Sequence, residues 1–196
     1  MTEEEMQKYF PTVFPEMFVG KYGGIATGKG WFNILVQLCQ NIQHHIDWRK
    51  ASRIRDIKYN DMVAQCKAGN FDLFEEDMSS IINHEYKEKR LQEIINGDYR
   101  KVSDDIPQVI VEQVKEKFGT LRFYYQGGDE YIHGLVAMAE SMTGVTCEDC
   151  GNPGESYSGG WIRTLCQPCE EARKIARKKA DEDWEHRKLL KEGFEE

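Results

Sequence analysis

Cys147, Cys150, Cys166 and Cys169 constrain this chain more than any other feature, because they fall as C-x2-C, fifteen residues, C-x2-C. Two residues between paired cysteines let one tight turn aim both thiolates at a single ion, and the intervening fifteen can run out and back as a short hairpin that delivers the second pair. Gly151, Asn152, Pro153, Gly154, Gly159 and Gly160 supply the turn chemistry this needs. The spacing predicts a zinc ribbon: structural Zn2+ held by four cysteines. A filled thiolate shell has no open position for a catalytic water, so such a site speaks to folding more than to function.

The 196 residues suit one domain, or one domain with a small metal module, and 40% hydrophobic content with nine Phe, nine Tyr and four Trp is enough for a core. The start, Thr2-Glu3-Glu4-Glu5, is unlike the basic-then-apolar opening of a secretory signal, and no apolar run approaches membrane length. Cys39 and Cys66 sit in apolar helical patterns and read as small buried hydrophobes, which with the metal site points to a reducing, cytoplasmic setting. A net charge of −8 argues against a strong non-specific grip on nucleic acid. Three acids (Glu148, Asp149, Glu155) against one base (Arg163) inside the ribbon sharpen that argument.

Hydrophobic periodicity gives an α+β outline: a helical body with a small β-unit over 1–145, the zinc ribbon over 146–170, and a charged helix over 171–196. Residues 1–30, with Pro11, Pro15 and a run of glycines, read as irregular. Helices are predicted over 31–48 (Ile34, Leu35, Leu38, Cys39, Ile42 and Ile46 on one face), over 52–67 and over 72–97. Two strands, joined by a bend over Lys115–Gly119, account for Val109–Val114 and Leu121–Tyr125, with a helix followed by a strand as the rival reading. Gly127-Gly128-Asp129 then caps a helix bearing Ile132, Leu135, Val136, Ala139 and Met142 that stops at Gly144. The last helix, 170–191, has a thin apolar stripe of Ala172, Ile175, Ala176, Ala180 and Trp184.

No catalytic set stands out. Gly23 to Lys29 matches the G-x4-G-K half of a phosphate loop, but Gly30 occupies the place of the hydroxyl that must meet Mg2+, and no Asp-ended strand supplies a second ligand. A glycine-rich entry to a buried helix explains these residues more simply. The histidines have no acid or cysteine at motif spacing, and no H-x-E precedes the cysteines, which removes a zinc-deaminase reading. The densest basic–aromatic stretch is Lys115, Lys117 and Arg122 among Phe118, Phe123, Tyr124 and Tyr125. Cations meet phosphate and aromatic faces stack on bases, so this stretch can bind nucleotides, whereas alternate aromatics on a strand can equally be core.

Three stretches together resemble a group of small uncharacterised bacteriophage and prophage proteins: G-K-G-W-F (Gly28–Phe32) leading to Leu38-Cys39, Q-V-K-E-K-F-G-T-L-R-F-Y (Gln113–Tyr124), and C-E-D-C-G-N-P-G followed by G-G-W-I-R-T-L-C (Cys147–Cys166). The resemblance covers about a third of the chain and implies a viral accessory protein acting in the host cytoplasm, with no established reaction to carry over. Residues 50–100 share in none of it.

The leading expectation is a non-enzymatic binder. Lys115, Lys117, Arg122 and Tyr124, with Trp161 and Arg163 of the ribbon, would hold a small phosphorylated or nucleotide-like ligand, in the manner of proteins that sequester a host defence signal. The alternatives are a regulator that binds a host protein or nucleic acid through the ribbon and the basic cluster Arg173, Lys174, Arg177, Lys178 and Lys179, and an enzyme of unidentified reaction.

Overall fold

The computed structural model describes residues 2–20 and 23–192, with side chains as far as Lys188, so the last four residues of the 171–196 segment lie outside it. It is an α+β protein. Helix α1 (Glu3–Val13) opens on a capping box: the Thr2 hydroxyl accepts from the Glu5 amide at 3.2 Å, and the Glu5 carboxylate takes the Thr2 amide at 2.7 Å. The expectation of an irregular start is corrected here. Pro11 lies inside α1, where it removes the hydrogen bond an amide would give the Gln7 carbonyl, and the helix ends two residues later. Met6 and Phe10, four apart, bury one face of it.

A two-residue strand, β1 (Ile25–Ala26), leads into α2 (Phe32–Lys67), a 36-residue helix where two helices were expected. No Gly or Pro lies between Trp48 and Ser52, so each further residue adds a backbone hydrogen bond at little cost. The shift in apolar phase along it marks a change of core, and Ile54 and Ile57 stay exposed. The single helix expected over 72–97 is α3 (Asp72–Asp77) and α4 (His84–Ile95). Asn83 ends the link between them by accepting the Tyr86 amide at 3.0 Å, a cap that restarts the helix.

Strands β2 (Ile110–Lys117) and β3 (Thr120–Gln126) pair antiparallel, and β1 joins β2 in parallel to give the order β1-β2-β3. The hairpin turn is Phe118-Gly119 alone, both at positive φ (55° and 75°), so β2 runs on through the segment read as a bend. This two-residue geometry matches the twist of the flanking strands and suits Gly119, while Phe118 carries the strain of a left-handed conformation. Helix α5 (Glu130–Thr143) lies along β3 and takes its outward amides: Leu121 N donates to Thr143 Oγ1 at 2.9 Å and Phe123 N to Glu140 Oε1 at 3.0 Å. Strands β4 (Glu155–Tyr157) and β5 (Arg163–Leu165) form a small hairpin, and α6 (Gln167–Glu192) ends the chain.

The chain forms two compact units, one of residues up to 43 with those from 108 onward, the other of residues 44–107. The first buries Trp31, Leu35, Cys39, Val114, Leu121, Phe123 and Ile132. Burial drives the Cys39 thiol well above its usual range and raises that of Cys66, in keeping with their reading as apolar groups. The second unit, which falls inside the body read as 1–145, has its own cluster of Met62, Val63, Cys66, Phe74 and Ile94. Phe74 is 1% exposed, and Phe74→Ala is expected to cost about 3–5 kcal/mol. Hydrogen exchange should show the lost protection in residues 44–107; unchanged protection there would mean that this cluster does not hold the unit.

Candidate functional site

The four cysteine sulfurs lie within 4.8 Å of one another, with Cys150 and Cys166 Sγ 3.5 Å apart. Four thiolates at about 2.3 Å from a tetrahedral ion would stand about 3.8 Å apart, so the cluster has the size of a metal site. Local backbone makes it so. Gly151, at φ 81°, turns the chain so that its amide returns to the Cys147 carbonyl at 2.9 Å, and the Cys147 amide meets Asn152 O at 2.7 Å. The second pair comes from the start of α6. Burial pushes the Cys147 thiol up, but the amides of Cys166, Cys150 and Asp149 outweigh it and bring it down to about 7. Cys169 is pushed up, first by its hydrogen bond to Cys166 and then by burial, as expected where neighbouring sulfurs cannot all ionise without a cation among them.

The glycine loop docks on this turn. Gly30 N donates to Glu148 O at 2.8 Å, and Trp31, fully buried, sends its indole N–H to Thr146 O at 2.7 Å. A Cβ at Gly30 would stand 2.5 Å from the Gly151 amide nitrogen, and one at Gly28 would fall on the Glu148 carbonyl. The loop is glycine-rich because backbone must touch backbone there, and one amide at the helix entry is already spent on a protein carbonyl. The β2–β3 tip is fastened to the same unit, with Thr164 Oγ1 donating to Gly119 O at 2.6 Å and Glu148 N to Thr164 O at 2.9 Å.

Of the six residues read as a ligand site, four are gathered on one face of β2–β3. Lys115 and Arg122 are cross-strand partners, and Tyr124, paired with Gln113, is their neighbour, 39% exposed. Lys115 Nζ sits 5.1 Å from the Tyr124 ring centroid and Lys117 Nζ 5.4 Å from that of Phe118. Leu121 and Phe123 point the other way and are buried, so the core reading holds for that face and the cations and Tyr124 are left on the outer one. Arg122 is not free: one of its terminal nitrogens donates to Thr120 Oγ1 at 2.8 Å and Leu121 O at 2.6 Å and stands 3.7 Å from Glu140.

Trp161 and Arg163 are not part of this face. Trp161 donates to Glu116 Oε2 at 2.8 Å, and Glu116 alternates with Lys115 and Lys117 along β2. Arg163 is taken by Glu148 and, at 2.8 Å, by Asp149. These two residues line a cavity of about 380 Å³ with Thr27, Gly28, Glu116 and Glu148. Thr27 Oγ1 and Glu148 Oε2 are buried there without a hydrogen-bond partner in the structure, and burial lifts the Glu148 carboxyl above its usual range against the pull of Arg163. Sequence reasoning passed over Glu148 and Thr164. Their signal was only that each flanks a cysteine pair, Glu148 directly after Cys147 and Thr164 two before Cys166.

No protein-family model, curated protein or solved structure matches this chain. No helix among the described residues is long and apolar enough to cross a membrane.

Gly30→Ala is expected to destabilise the first unit by about 1–3 kcal/mol, since loop and cysteine turn must separate to admit a methyl group. A thermal or denaturant melt within error of wild type would contradict the docking described. A metal held by this cluster should be lost in Cys147→Ser or Cys166→Ser and the C-terminal third loosened, read by elemental analysis and by hydrogen exchange over 146–173; full metal content in both variants would remove these residues from the ligand set.

Proposed function

We propose that this chain is a non-enzymatic binder, organised by one structural Zn2+, that takes a small phosphorylated or nucleotide-like ligand on the outer face of β2–β3. An all-thiolate tetrahedral set selects zinc over the harder divalent cations, and four protein ligands close its shell to substrate. The observation that carries the binding reading is the pairing of Lys115 with Arg122 beside the half-open Tyr124 ring. Among the described residues neither Lys115 nor Lys117 forms an ion pair with a carboxylate, so their charge is available to an anion. The Tyr124 ring offers a stacking face of the kind that tolerates any base. Trp161 and Arg163 drop out of the proposed site, because a phosphate there would meet Glu116, Glu148 and Asp149. With the resemblance to phage proteins, a host signalling nucleotide is the ligand class this reading favours.

The arrangement also changes which variant tests it. Arg122→Ala would remove the cation beside Glu140 and the contacts to Thr120 and Leu121 at the β3 edge, whereas Lys115 and Tyr124 can be removed with little structural cost. Calorimetry against linear and cyclic nucleotides should show binding to the wild-type protein. Lys115→Ala should weaken it about tenfold or more through loss of a charge-assisted contact. Tyr124→Ala should weaken it by roughly 1–3 kcal/mol. Absence of binding across the panel, or equal affinity in both variants, would overturn the proposal.

A further inference from the structure

Helix α6 leaves the cysteine cluster with few contacts, Lys174 near the Tyr157 ring and Arg177 donating to Gly159 O at 3.2 Å, and from Lys174 to Lys188 every residue is exposed. Ile175 is 71% and Trp184 61% exposed, on the stripe they share with Ala176 and Ala180. A solvated helical stretch of this length is marginal alone, and its charge order does little to help. Five bases (Arg173, Lys174, Arg177, Lys178, Lys179) precede four acids (Asp181, Glu182, Asp183, Glu185). The ends suit the helix dipole, with Glu170 in the first turn and Arg187 and Lys188 toward the other end, but in the middle Glu before Lys would be the better order for a pair four apart. Lys178 and Glu182 stand in the opposite order, 3.9 Å apart and largely exposed, a pair that contributes little. The middle of the helix therefore draws little support from its own charges.

It fits a second copy of itself running the other way. We propose that α6 pairs antiparallel with α6 of another chain, centred on Ala180. Flanking that centre, Arg177 lies beside Asp181 of the second copy and Lys179 beside Asp183, each contact occurring twice by symmetry, while Lys178 and Glu182 lie on the far side of the helix and pair within their own chain. Trp184 then lies level with Ala176 and Ala180 with its own counterpart, so a large ring meets a small residue and the helix axes can approach closely. Parallel pairing would set base against base and acid against acid, so the charge order selects the antiparallel form. The contact spans only about four helical turns, which makes the dimer reversible and sensitive to salt.

Sedimentation velocity on the full metal-loaded chain tests this. The wild type should be dimeric at about 100 μM in low salt and shift toward monomer as salt screens the charges. Two variants decide the matter: R177D/K178E/K179D and D181K/E182K/D183K. Each alone places like charges beside one another and should be monomeric, while an equimolar mixture should form a heterodimer, with helix content by circular dichroism showing that both remain folded. A monomeric wild type, a dimer that persists in either variant alone, or a mixture that stays monomeric would each overturn the proposal. Nucleotide binding on the β2–β3 face is read in a separate experiment, so neither result decides the other.

Discussion

Closure of the first cysteine turn is the interaction on which most of the first unit depends. Four thiolates collected by one ion would fix Cys147 to Gly151, and three parts of the chain distant in sequence are fastened to that turn or to the hairpin behind it. The glycine loop meets it through Gly30 and Trp31, the β2–β3 tip through Thr164 and Gly119, and α6 begins at its second cysteine pair. A cross-link of this kind stabilises chiefly because an unmetallated, unfolded chain has no preformed site, so the free energy of binding the ion becomes free energy of folding. The hydrophobic cluster at the cysteines is small, Cys147, Leu165 and Cys166 with Tyr157 and Cys169 around it, and would not hold the turn without the ion.

Charge is sorted by the alternation of one strand. Along β2, Glu116 turns toward the ribbon and receives Trp161 and the Gly119 amide, while Lys115 and Lys117 turn away with Arg122 and Tyr124. The acids of the ribbon are used internally, Glu148 and Asp149 by Arg163 and Glu155 by the Tyr157 hydroxyl, and the surplus of positive charge collects on the far face. A net charge of −8 conceals this local reversal of sign.

The cysteine spacing, the hairpin strands, the Asp129-capped helix and the buried Cys39 and Cys66 were all legible in the sequence because each rests on short-range chemistry. The glycine loop was legible only as glycine-rich, since its reason, the turn at Cys147, lies more than a hundred residues away. The capping box at Thr2 and Glu5 could have been read, but Pro11 and Pro15 outweighed it. The join at Trp48–Ser52 was misjudged because a change of buried face looks, in one dimension, like the end of a helix. The division of the ligand residues between two faces needed the exact register: a shift of one residue would have placed Lys115 with Glu116's partners.

The side chains of Thr143 and Glu140 on the amides of Leu121 and Phe123 have a consequence beyond holding α5 in place. A three-stranded sheet with β3 at its margin would ordinarily present a row of open donors to any extended peptide nearby. Here those donors are already occupied from within the chain, by a hydroxyl and a carboxylate rather than by another strand. Two of the outward donors at this aromatic-rich margin are thereby withdrawn from pairing with another strand.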